Sequence, residues 1–226
     1  MAVTLNKIVS DIRNIATSGK ATDDFRITDR QIEYWIHEVR SILIGQAIAK
    51  RQDYSDSWIQ TIGCLELEQA DVSDCCDAPI GCYVLRSVRT LPATIETDKN
   101  NEIISVSTMD GYPITETTQF SNIYKKYNKY TGKNMGWFFK NDYLYIINDD
   151  LLATVSVRGI FEDPQELGEF FTCDGDPCWT IDSDYPCSMK MASMITDIVL
   201  KTKVNPLLTY PVDVTGDGAN GLGQKK

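Results

Sequence analysis

Two periods divide the chain. Near the N-terminus, Leu5, Ile8, Val9, Ile12, Ile15 and Ala16 recur at spacings of three and four, one apolar face of a helix over 4–17. Thr4 is placed to cap it, with Val3 and Ile8 as a hydrophobic staple, and Ser18-Gly19-Lys20 ends it. A second helix is predicted over 28–50. Thr28 and Gln31 have capping-box spacing, and Ile27 and Ile32 flank the cap. Behind the cap, Ile32, Trp35, Ile36, Val39 and Leu43 form the expected bundle core, continued by Ala47. Tyr34, Ile44 and Ile48 make a second stripe, so this helix needs more than one neighbour.

Between residues 57 and 162 the period shifts towards two. Ile62, Cys64, Leu65 and Leu67 predict a strand, as do residues 82–88 and 152–161. Residues 102–107 and 112–115 flank Asp110-Gly111, a hairpin turn signal. Trp137-Phe138-Phe139 and Tyr143-Leu144-Tyr145-Ile146-Ile147 flank Lys140-Asn141-Asp142 in the same way. A short helix is predicted over 118–127. Asp163-Pro164 breaks the β-rich stretch, and Pro186 is expected to open a last helix over 186–203, with Met191, Met194, Ile195, Ile198 and Val199 on its face. The predicted architecture is α+β: a helical bundle formed by N-terminal and C-terminal helices with a β-rich insertion at 57–162. Residues 1–204 make a single composite domain, and 205–226 a flexible C-terminal tail. Leu207, Leu208, Tyr210 and Val212 are the tail residues able to anchor on a partner.

Net charge changes the picture. At −10, the chain repels phosphate, which disfavours a dedicated nucleic-acid binder but suits a surface that DNA slides past. No run approaches the roughly 18 apolar residues of a membrane helix, so no membrane partner is expected. The first residues lack the layout of a signal peptide, which reads as a protein made in the cytoplasm.

The candidate chemistry is sparse. Cys75, Cys76 and Cys82 form one loose group, and Cys173, Cys178 and Cys187 another, with spacings unlike a zinc finger or ribbon. Cys64 and Cys82 alternate with apolar residues as core thiols do, and seven cysteines is an odd number. A complete disulfide framework is therefore not expected, and neither is a metal. Asp174, Asp176, Asp182 and Asp184 lack the EF-hand pattern and read as solvated turn residues. Gly216-x-Gly218-x-x-Gly221 has no helix after it and so no phosphate to cradle. His37, the lone histidine, lies off the main apolar face and reads as an exposed or interface residue. No catalytic residues and no cofactor are expected. The aromatic hairpin 137–147 offers an alternative function, a small glycan- or ligand-binding module.

The layout resembles a known family. The residues that carry the likeness are Thr28-Asp29-x-x-Ile32-x-x-Trp35, Arg40-x-x-Leu43-Ile44, Arg89-x-Leu91-Pro92 and the hairpin from Trp137 to Ile146. Together they resemble the head-to-tail adaptors of short-tailed phages, the tail tubular protein A type, and more closely a ring protein of crAss-like phages, the portal-docking ring. That resemblance implies a structural virion protein of the neck and tail, made in the host bacterial cytoplasm. It implies a homo-oligomeric ring of twelve copies and contacts to the portal protein and neighbouring tail ring proteins. It implies a channel through which genomic DNA passes without specific binding, and no catalysis.

Overall fold

The computed structural model describes residues 3–19, 25–50, 55–70, 84–95, 102–117, 135–147 and 151–209. Helix α1 spans Leu5–Ala16 and α2 spans Asp29–Ala49. Seven strands follow: β1 Gln60–Gln69, β2 Val84–Ser87, β3 Ile103–Thr108, β4 Pro113–Glu116, β5 Gly136–Lys140, β6 Tyr143–Ile147 and β7 Thr154–Gly159. After a short 3-10 helix, Pro164–Glu169, helix α3 covers Met189–Val199. A π-helical turn, Leu200–Val204, leads into α4, Asn205–Thr209.

The hydroxyl of each predicted cap accepts as its spacing predicts. Thr4 Oγ1 accepts from Lys7 N–H and Thr28 Oγ1 from Gln31 N–H, each at 3.3 Å. Ile27 and Ile32 are both buried. Both hairpins form. Gly111 turns β3 into β4 at φ 83°, while Asn141 and Asp142 turn β5 into β6 with φ of 50° and 64°. Positive φ at both central residues is the two-residue hairpin geometry that matches strand twist.

The strands do not form an insertion in a helical bundle, and that part of the expected architecture is overturned. They close into a barrel in the order β1-β2-β6-β5-β4-β3-β7, with β7 returning to β1. Six pairings are antiparallel, and β4 with β5 is parallel. Closure satisfies every strand edge, which an open insertion would leave unpaired. Gly136 permits the parallel seam: a Cβ there would stand 2.8 Å from Thr117 Cγ2.

Ile62, Leu65, Val106, Leu144, Ile146, Val155 and Val157 are almost wholly buried within one core. Leu5, Ile8, Ile12, Ile32, Trp35, Ile36, Val39, Ala192, Ile195 and Val199 belong to that same core, so helices and barrel share a single interior. Leu43 packs on it only partly buried. The C-terminal helix also differs from its expected form. Ser188 caps it, accepting from Met191 N–H at 3.2 Å, and Pro186 precedes the cap. The helical path continues to Thr209, so Leu207 and Leu208 lie on α4.

Candidate functional site

Arg40 sits among the apolar residues of α2, and nothing of it reaches solvent. A buried guanidinium must find acceptors. Its Nε donates to the Pro186 carbonyl at 2.8 Å, Nη1 to the Phe161 carbonyl at 2.7 Å and Nη2 to the Trp58 carbonyl at 3.4 Å. One side chain thus ties α2 to the chain before β1, the chain after β7 and the chain before α3. Burial lowers its pKa from the ordinary value.

Beside it, Tyr185 is buried and its ring lies under the Arg40 guanidinium, 5.8 Å from Cζ to the ring centre. Burial pushes the phenol well above its usual pKa, so it stays protonated. It shares a 2.8 Å hydrogen bond with His37 Nδ1, as donor in the tautomer that carries the imidazole proton on Nε2. The Asp163 carboxylate beside Nε2 favours that tautomer. Burial holds His37 down to about 4, against the raising influence of Asp163, with Arg40 lowering it further. His37 is neutral at pH 7, and its Nε2–H faces Asp163 Oδ1 at 3.6 Å, too far for a hydrogen bond. Burial also raises the Cys187 thiol to about 11, so it is an inert thiol.

His37 forms part of the wall of a groove of about 510 Å³ on the outer side of α2. Arg30, Glu33, Tyr34, Glu38, Ser41 and Ile42 line it from the helix, and Glu162, Asp163 and Gln165 from the segment after β7. Its floor is buried and polar; its rim is apolar and open, with Tyr34 67% and Ile42 50% exposed. Glu38 is paired with Lys203 at 2.9 Å, which places the C-terminal helical turn at the groove's edge.

The remaining candidates fall elsewhere. Ile32, Trp35, Ile36 and Val39 are core residues away from the groove floor. Leu207 and Leu208 are about half exposed on α4, while Tyr210 and Val212 lie outside the described residues, as do residues 118–127 and the glycine motif. His37, expected to be exposed or at an interface, is buried within the chain. Cys64, read as a core thiol, is joined to Cys173 in a disulfide across 109 residues. Cys178 and Cys187 are free; Cys75, Cys76 and Cys82 lie outside the described residues. Among the described residues, no three His, Cys, Asp or Glu side chains converge as metal ligands. No helix among them is long and apolar enough to cross a membrane.

The aromatic hairpin offers no open platform. Trp137, Leu144 and Ile146 face the main core. Phe138 and Tyr145 stack at 4.9 Å on the other side, in a second buried cluster with Val84 and Ile147.

A family model described as phage tail ring protein 2 matches residues 7–221. The chain belongs to that family. It is a structural component of a phage tail, of a kind that assembles into homo-oligomeric rings. A comparison with curated proteins returned no match. Sequence reasoning passed over Asp163 as a strand breaker and did not single out Tyr185. One signal pointed to them: Arg40 interrupts an apolar helical stripe, and a cation there demands partners.

Proposed function

We propose that this ring protein is a head-to-tail connector: twelve copies close into a ring that docks on the portal, joins it to the tail rings and leaves a channel for DNA. The family match over 7–221 carries this reading. Ring closure requires each subunit to present unlike patches to its two neighbours. The acidic groove on α2 and the apolar residues of α4 are two such patches. A net charge of −10 suits a channel that DNA crosses without being held. Leu207 and Leu208, followed by Tyr210 and Val212, form the docking strip for the portal or the adjacent ring.

Native mass spectrometry and electron microscopy, with and without portal protein, test this. The expected species has twelve times the 25.5 kDa chain mass and forms a ring that binds the portal. A chain that stays monomeric under both conditions overturns the reading. A variant lacking residues 206–226 is expected to keep its melting temperature and lose co-sedimentation with the portal. If it co-sediments like the full chain, docking belongs to another surface.

A further inference from the structure

We infer that the groove on α2 is the socket of the ring contact, and that it receives the lysine- and tyrosine-rich segment 124–133 of a second copy of this chain. The inference rests on the ring reading and deepens it. The groove brings Glu33, Glu162 and Asp163, against a single cation among its described lining residues, Arg30, together around the apolar rim of Tyr34 and Ile42. At its inner wall His37 is 7% exposed, with an Nε2–H that has no hydrogen-bond partner. The socket therefore suits a segment bearing cations for the carboxylates and aromatic or aliphatic surface for the rim.

The chain carries one stretch of that chemistry. Between β4 and β5 the sequence runs Tyr124-Lys125-Lys126-Tyr127-Asn128-Lys129-Tyr130-Thr131-Gly132-Lys133, and residues 118–134 hold four lysines and no carboxylate. In a chain with 32 acidic and 22 basic residues, this is a marked local excess of positive charge. It lies outside the described residues. An acidic socket and a basic plug on one subunit are the unlike, complementary patches of a head-to-tail contact. Their opposite charges set register and speed encounter. The lysine stems can lie along Tyr34 and Ile42 while their ammonium groups reach the carboxylates.

Charge swapping tests the pairing, using the full-length chain and reading ring yield by native mass spectrometry. Glu33→Lys with Glu162→Lys is expected to lower ring yield by about tenfold or more, and Lys125→Glu with Lys126→Glu and Lys129→Glu to do the same. Combining both sets in one chain is expected to restore assembly. Melting temperatures report whether each variant folds. If a variant unfolds, carbodiimide coupling of the wild-type ring takes its place, with light and heavy isotope copies mixed. Mixed-mass links between Lys125, Lys126 or Lys129 and Glu33, Glu162 or Asp163 support the inference. Links confined to one copy overturn it. Folded single-set variants that assemble normally also overturn it while leaving the ring reading intact. The same holds if the lysine-reversed chain assembles normally and loses only DNA passage, because the segment would then face DNA. A wild-type chain that never assembles, alone or with the portal, removes the ring reading itself.

Discussion

The barrel and the outer side of α2 solve opposite problems. In the barrel, strands present apolar side chains inward at every second position, and closure leaves no edge unpaired. Stability there is spread over many small contacts, and the interior holds little charge. On α2, residues 34–42 carry a fully buried cation, a buried neutral histidine and, on the outer side, the exposed Tyr34 and Ile42. Polar groups fix the junction of three chain segments, while the rim stays open to a partner. On the ring reading proposed above, the sheet supplies generic stability and the helical layer the recognition surface.

That contrast can be broken most sharply at Arg40. Arg40→Ala removes the donor of three carbonyls and leaves a cavity, so a loss of about 5 kcal/mol is expected. Chemical denaturation measures it. Arg40→Lys should recover only part, since a single ammonium cannot span three separated acceptors. A loss below about 1 kcal/mol for the alanine variant would mean that water replaces the guanidinium at no cost and that the junction is not polar in origin.

Trp35 probes the apolar side of the same helix. Trp35→Ala should lower stability by about 3–4 kcal/mol, as for a buried core aromatic. An unchanged melting temperature would show that the inner face of α2 contributes little and that the barrel stands alone.

His37 gives the contrast a pH signature. Its folded pKa of about 4 lies below the ordinary 6.5, mainly through burial. Between those values the unfolded chain binds a proton that the folded chain refuses. Stability therefore falls as pH drops from 6.5 to about 4, by up to roughly 3 kcal/mol from this group, and is constant above that window. Asp163 and Arg40 are the charges facing it, and they act in opposite directions. Urea midpoints at pH 7 and 4.5 should converge in His37→Gln more than in the wild type. Equal pH slopes in the two proteins would assign the acid sensitivity to carboxylates instead.

The smallest effect on folding is expected at Tyr34. Tyr34→Ala should change stability by less than about 0.5 kcal/mol, because the ring is exposed. The same substitution should weaken self-association measurably by sedimentation. If it destabilises the monomer instead, the rim belongs to the fold and the two regions are less distinct than described.

The sequence by itself determined the pieces. Thr4 and Thr28 cap their helices because a cap needs only a hydroxyl and an N–H three residues on. The hairpins at Gly111 and Asn141-Asp142 follow from local φ preferences. The buried face of α2 follows from a 3.6-residue period. Tertiary structure alone decided how the pieces meet. Alternation marks which side of a strand is apolar, but not which strand lies beside it, so the β1–β7 and β2–β6 pairings and the parallel β4–β5 seam were not legible. The same holds for the Cys64–Cys173 link and for Tyr185 on His37, whose partners are 109 and 148 residues apart. Contacts at that range depend on the path of the whole chain through the closed barrel, and no local period encodes that path.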